Sequence, residues 1–169
     1  MTMLQEGLLT FSFPQGAAAS KYDDWEHYRQ QFNSAFGGTK AVDLVFADEE
    51  ISWLIEVKDY RMHDRTKTID LADEVALKVR DTLAGLVSAR FQGRDRHARG
   101  IARKLLAKQR LRIVLHLEQP AKHSRLRPRA IDPAVVKKKM KGLLKALDAH
   151  PAVVDQHSLK ADMKWTVTG

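Results

Sequence analysis

The chain has 169 residues, no cysteine and a formal net charge of +8, which predicts one domain over 1–169 with its own core and excludes disulfides and thiolate metal sites. No apolar run approaches the ~18 residues that cross a membrane, and the N-terminal residues lack the pattern of a signal peptide, so we expect a cytoplasmic protein with no membrane partner. Residues 90–145 hold 18 of the 29 Lys and Arg residues but only 3 of the 21 acidic ones, which indicates a surface for a polyanion.

The first predicted elements are a short strand and an aromatic helix. Residues 8–13 alternate weakly and end at Pro14, and a linker of small residues follows at 16–20. A helix is predicted over 21–36 because aromatic residues recur every three or four positions, and Gly37-Gly38 would end it. These aromatic residues are Trp25, Tyr28, Phe32 and Phe36. Their spacing is more typical of a core face than of a platform for stacked bases.

Two apolar strands, 41–46 and 51–58, are predicted to form a hairpin that carries Asp43, Glu56 and Lys58. A buried charge is costly unless it is paired or bound to a metal. With a loop of two or four residues, position 43 faces position 56 and the two Cβ atoms lie roughly 5 Å apart. An odd loop would send the carboxylates to opposite faces. Lys58 projects from the same face as Glu56 because side chains alternate along a strand.

Two adjacent carboxylates repel each other unless a cation lies between them, and Mg²⁺ prefers such oxygen ligands. The lysine beside them could orient a water molecule or stabilise a phosphate. An alternative stays open, in which Asp43 and Lys58 form a plain ion pair and Glu56 lies at the sheet edge.

This arrangement, an acid on one strand and Glu-x-Lys on the next, resembles the PD-(D/E)xK nuclease superfamily over about residues 20–118. The resemblance implies an α/β fold with a central mixed β-sheet flanked by helices, a restriction-endonuclease-like core. It implies Asp43, Glu56 and the backbone carbonyl of Val57 as ligands of Mg²⁺, for which Mn²⁺ could substitute. It also implies Lys58 as the catalytic lysine. Some members of the family add an acid from the preceding helix, for which Glu26 is the candidate.

A loop, two helices and a strand follow the hairpin. Asp70 is a candidate N-cap for a helix over about 70–90. A basic helical segment covers 94–109, and a strand at 111–118 should lie parallel to the strand of Glu56.

The last third, 119–169, is predicted to be a basic helical part of the same domain. It contains a basic loop at 120–128, a lysine-rich helix that starts at Asp132-Pro133, and two short strands, 153–154 and 165–167, expected as a hairpin at the sheet edge. The basic residues predicted to contact nucleic acid come from the loop after the hairpin and from this basic half. They are Arg61, Arg65, Arg94, Arg96, Arg99, Arg103, Lys122, Arg125, Arg127, Lys137, Lys138 and Lys141.

The leading hypothesis is a Mg²⁺-dependent nuclease that hydrolyses phosphodiester bonds, most simply those of DNA. A non-catalytic nucleic-acid-binding module that retains the fold is the first alternative, and an RNA-binding protein that uses only its basic helices is the second. A homodimer and a subunit of a larger complex both remain open.

Overall fold

The computed structural model describes residues 1–120 and 131–169. Within them the strands are β1 Thr2–Glu6, β2 Leu9–Phe13, β3 Ala18–Lys21, β4 Leu44–Ala47, β5 Ile51–Asp59, β6 Arg110–Glu118, β7 Ala152–Val154 and β8 Thr166–Thr168. The α-helices are α1 Leu71–Gln92, α2 Arg96–Leu106 and α3 Pro133–Leu144. None of the helices in the described ranges is long and apolar enough to span a bilayer.

The central sheet has five strands in the order β3-β4-β5-β6-β7. Strands β3, β4 and β5 pair antiparallel, whereas β5, β6 and β7 pair parallel. Parallel neighbours need crossover connections, and α1 with α2 connects β5 to β6 while α3 precedes β7. The predicted α/β fold with a central mixed sheet is therefore confirmed, and so is the parallel pairing of β6 with the strand of Glu56.

Different layers cover the two faces of this sheet. On one face, Val45, Leu54 and Leu115 pack in a buried cluster with apolar residues of the three helices. On the other face, Phe46 and Trp53 pack against a three-stranded antiparallel sheet in the order β1-β2-β8. Every side chain from Ile51 to Val57 is consequently buried, so any charge on β5 must find its partners inside the protein.

An aspartate caps the N-terminus of each α-helix. The side chain of Asp70 accepts a hydrogen bond from Ala72 N at 2.9 Å, and that of Asp132 accepts one from Ala134 N at 2.8 Å. Asp95 caps α2 in the same way. Such bonds satisfy backbone N–H groups that have no partner within the helix. The predicted caps at Asp70 and Asp132 are confirmed.

The helix predicted over 21–36 is wrong. That segment contains the end of β3, a π-helical turn at Tyr28–Phe32 and a 3₁₀ turn at Ala35–Gly37. Phe36 has φ of 56° and is 87% exposed, so the aromatic face does not continue to it. The backbone N–H of Tyr22 donates to the carbonyl of Asp43 at 2.9 Å. This bond ties the start of the segment to the sheet, and the left-handed backbone of Phe36 interrupts the helical turns at its end.

The expected C-terminal hairpin is also wrong, because its two strands lie in different sheets. Strand β7 extends the central sheet beside β6, whereas β8 pairs with β2. Trp165 precedes β8 and packs on rings from both sheets, with centroids 5.9 Å from Phe13 and 5.1 Å from Trp53. This apolar contact draws the last strand to the second sheet.

Candidate functional site: a buried acid–lysine cluster and a basic helix

The β4–β5 hairpin has the even register that places positions 43 and 56 opposite each other. Leu44 pairs with Ile55, and Asp48 N donates to Ile51 O at 3.1 Å around a two-residue turn. Asp43 lies one residue before β4, and its Oδ2 accepts a hydrogen bond from Val57 N at 2.7 Å. The predicted register is confirmed.

Helix α1 holds the segment that carries Asp43. Asp81 Oδ2 accepts a hydrogen bond from Lys40 N at 2.9 Å, and Thr82 Oγ1 accepts one from Val42 N at 3.0 Å. Both side chains are buried. The backbone leading to Asp43 is therefore fixed by a helix that lies some forty residues later in the chain.

Two acids and two lysines join Asp43 in what we call the acid–lysine cluster: Asp43, Glu56, Lys58, Glu74 and Lys78. Lys58 and Lys78 both donate to Glu56 Oε1, the latter at 2.5 Å. Lys78 Nζ also lies 3.9 Å from Asp43 Oδ1, and Lys58 Nζ lies 3.7 Å from Glu74 Oε1. The plain Asp43–Lys58 pair is thus not the arrangement found, and Glu56 is fully buried rather than at the sheet edge.

Glu74 binds two further cations at the margin of the cluster. Arg65 and Lys67 lie 2.7 Å and 2.5 Å from its carboxylate oxygens. Its side chain is fully buried, whereas Lys67 is half-exposed. The cluster therefore alternates in sign from the sheet interior to the surface, which stabilises charges that burial alone would disfavour.

The pKa values follow from this placement. Burial and then the charge of Asp43 raise the pKa of Glu56 to about 7, although Lys78 and Lys58 lower it. Burial raises the pKa of Glu74, but the hydrogen bonds from Lys67 and Arg65 lower it more, so that the pKa is about 2. Burial opposes a charge on Lys58, but the charge and hydrogen bond of Glu56 raise its pKa above the ordinary value. Glu56 is thus the member of the cluster that changes charge near neutral pH.

A second group of acids meets at Asp43. Oxygens of Glu6, Asp23 and Asp43 lie within 4.8 Å of one another. Burial and then the charges of Asp43 and Glu6 raise the pKa of Asp23 to about 6. Glu26, the predicted additional ligand, is exposed and is not in this group. Sequence reasoning missed Glu6, since it lies on a strand of the other sheet that was not predicted.

The predicted phosphate-binding residues have different environments. Arg61 is bound to Asp59 at 2.7 Å and to the carbonyl of Gly169, and Arg65 is bound to Glu74 and to Ile69 O, so both arginines stabilise the fold. Lys122, Arg125 and Arg127 lie outside the described residues. The others are exposed: Arg94, Arg96, Arg99 and Arg103 in and before α2, and Lys137, Lys138 and Lys141 on α3.

Helix α2 separates its basic and apolar residues completely. Its four residues on the buried face, Ala98, Ile101, Ala102 and Leu105, are less than 7% exposed. The opposite side carries what we call the α2 basic face: Arg96, Arg99, Arg103 and Lys104. No acidic residue lies within the helix. Helix α2 packs against α1 and against strands β3 to β5, and helix α3 packs against α1 and β7.

No family model matches this chain, and no solved structure matches it. The chain is similar to a cysteine–tRNA ligase of Neisseria meningitidis serogroup A / serotype 4A, with 35% identity over 162 aligned residues. The similarity covers 78% of this chain but only 23% of the ligase. The chain thus spans about a quarter of the length of the curated relative that it matches.

This similarity contradicts the identification as a PD-(D/E)xK nuclease. The matched protein is a ligase rather than a hydrolase. The prediction of a Mg²⁺-dependent nuclease is therefore wrong, and a DNA substrate has no support. The motif is short, and an acid followed by Glu-x-Lys also suits a buried ion-pair cluster. In this structure Lys58 is bound to Glu56 and faces Glu74.

Proposed function

We propose that this chain is a tRNA-binding module that serves an aminoacyl-tRNA ligase, either as part of a longer polypeptide or as a separate chain. The α2 basic face is the observation that carries the proposal. The similarity to a cysteine–tRNA ligase supports tRNA as the ligand of this face, because the name of that protein includes tRNA.

The α2 basic face suits the phosphate backbone of a folded RNA. Three of its four residues are arginines at positions 96, 99 and 103, one helical turn apart on the solvent side. The planar guanidinium can donate two parallel hydrogen bonds to one phosphate, which lysine cannot do. Because the helix holds no acid, nothing within it repels an approaching phosphate.

The lysines of α3 are expected to contribute less. Lys139 is bound to Asp73 at 2.7 Å and to Asp70 at 3.1 Å, so acids of α1 neutralise part of this helix. Lys137, Lys138 and Lys141 are exposed and act as mobile point charges. They increase the long-range attraction between the protein and RNA, but they hold few phosphates in fixed positions.

A binding experiment with two matched triple variants tests the proposal. Fluorescence anisotropy measures the affinity of the parent for tRNA and for duplex DNA of equal charge over a range of salt concentrations. The variants are R96Q/R99Q/R103Q on α2 and K137Q/K138Q/K141Q on α3, which remove the same charge. We expect tRNA to bind more tightly than DNA, and the α2 variant to reduce the slope of log K against log salt by about 2–3.

Two results would overturn the proposal. Equal affinity for tRNA and duplex DNA would show that the protein binds polyanions without a preference for tRNA. Equal losses in the two variants would show that net charge, rather than the α2 basic face, determines binding. Thermal unfolding of both variants is the control, since every substituted side chain is exposed.

We also propose that Mg²⁺ binds at Asp43, as a structural ion of this module. Three carboxylate oxygens within 4.8 Å, from Glu6, Asp23 and Asp43, suit a hard cation that keeps waters as its remaining ligands. Glu56 faces Asp43 across the hairpin with a fully buried side chain, and its Oε2 has no hydrogen-bond partner among the described residues. Burial and then the charges of Asp43 and Glu6 raise the pKa of Asp23. A divalent ion would neutralise these acids further, in addition to Lys21, whose Nζ lies 2.9 Å from Glu6 Oε2.

A further inference from the structure

A cleft of about 540 Å³ lies at the end of the central sheet, where the approach to β3, the β4–β5 turn and the end of α2 meet. Part of its lining is apolar and comes from Pro14, Ala17, Ala18, Phe46 and Ala47. The volume is in the range of pockets that hold small organic ligands, ~300–1,000 Å³. The cleft can therefore accept a group of roughly the size of one nucleotide.

Three lysines from two distant parts of the chain line the same cleft. Lys104 comes from the end of α2, and Lys164 comes from the segment before β8. Lys108 lies just after α2, and its Nζ donates to the backbone carbonyl of Glu49 at 3.2 Å. Two acids, Asp48 and Glu49, also line the cleft. Asp48 Oδ1 accepts hydrogen bonds from the backbone N–H groups of Glu50 and Ile51 in the turn, and Glu49 is exposed. Because three lysines face two acids, the cleft combines apolar surface with a small net positive charge, which suits an anionic ligand.

The cleft adjoins the α2 basic face through Lys104. A second cleft, of about 460 Å³, is lined by Arg90, Gly100, Arg103, Lys104 and Ala107, and none of these residues is acidic. A Cβ atom added at Gly100 would meet no atom within 4 Å, so the helix surface is open there. Because Lys104 lines both clefts, a phosphate chain that follows α2 reaches the first cleft without crossing an acidic surface.

We propose that the cleft lined by Lys104, Lys108 and Lys164 binds one unpaired nucleotide of an RNA whose phosphates follow the α2 basic face. The base occupies the space beside Pro14 and Ala17, and lysines contact the adjoining phosphates. Bases of single-stranded RNA can turn away from their neighbours into such a pocket, whereas those of a duplex stay stacked. This assignment rests on the proposed tRNA-binding role and narrows it to RNA with a single-stranded end.

Two RNA hairpins with the same stem test the assignment, one blunt and one with a short single-stranded 3′ extension. The parent should bind the extended RNA at least about fivefold more tightly, as expected for one base that is held in a pocket. Lys164→Glu should remove this preference. Lys160→Glu is the matched control, because Lys160 is an exposed lysine four residues earlier that does not line the cleft, and it should keep the preference.

A second variant, Ala17→Phe, reduces the space in the cleft without changing charge and should also remove the preference. Equal binding of the two hairpins by the parent would overturn the assignment, as would a preference that survives in both Lys164→Glu and Ala17→Phe. If the parent binds the blunt and extended hairpins equally well, only the cleft assignment fails. If it binds neither, the RNA-binding role itself fails.

Discussion

Lys78 Nζ on α1 lies 2.5 Å from Glu56 Oε1 on β5, within the acid–lysine cluster. The two residues are 22 positions apart, and the bond connects the helix layer to the middle of the central sheet. Lys58 shares the same acceptor oxygen. The pairing therefore explains how a strand that is otherwise apolar tolerates a glutamate.

Lys78→Met should destabilise the protein by about 2–4 kcal/mol, because it leaves Glu56 with one cation fewer in a buried environment. The double variant Lys78→Met/Glu56→Gln should lose less than the sum of the single variants, because the two residues are in contact. Urea denaturation measures the free energy of unfolding. Lys138→Met, at an exposed position of α3, is the control and should change it by less than about 0.5 kcal/mol. Additive losses would contradict a direct coupling.

Stability should decrease as the pH rises from 5 to 7.5 because of Glu56. In the folded state Glu56 has a pKa of about 7, whereas in the unfolded chain it releases its proton near the ordinary pKa of 4.5. The folded state therefore binds more protons between these values, and its advantage is lost as the pH rises through 7. The contribution of Glu56 over this range is about 2 kcal/mol.

Glu56→Gln removes this titration and so separates its effect on stability from that of Asp23. The free energy of unfolding, measured by urea denaturation at several pH values, should therefore fall less steeply in the variant than in the parent. Parallel pH profiles for the two proteins would contradict the raised pKa of Glu56.

Gly85→Ala should destabilise the protein by about 1–3 kcal/mol through overpacking. A Cβ atom at this position of α1 would lie 1.8 Å from Tyr22 Oη and 3.0 Å from the ring of Phe32. Tyr22→Phe removes the clashing hydroxyl and should recover most of the loss in the double variant. Gly142→Ala is the matched control on α3, because nothing lies within 4 Å of its added Cβ, and it should be neutral or stabilising. The measurement is thermal unfolding.

Mg²⁺ should raise the melting temperature beyond the effect of NaCl at equal ionic strength. At a concentration of 100 times the dissociation constant the gain is about 2.7 kcal/mol. Asp23→Asn should abolish the shift. Glu26→Gln should preserve it, because Glu26 is exposed and does not belong to the acid group. A parent protein that does not respond to Mg²⁺ or Mn²⁺ would contradict the site.

Local patterns were sufficient to predict several parts of the fold. The two-residue period of strands and an even loop placed position 43 opposite position 56, and the paired strands have that register. Aspartates before helices were recognisable as caps because the capping bond joins neighbours in sequence. The prediction of a helix over 21–36 is wrong because Tyr22 is bonded to Asp43 at the sheet, a contact that the local aromatic spacing does not record.

For the candidate site, too, the sequence predicts some residues and not others. Charged residues inside apolar strands revealed Asp43, Glu56 and Lys58, and the basic segment predicted over 94–109 revealed the α2 basic face. The partners of these residues depend on packing: α1 supplies Lys78 and Glu74, β1 supplies Glu6, and the C-terminal segment supplies Lys164. Electrostatic energy depends on distance in space, and no local periodicity records which distant side chains the folded chain brings together.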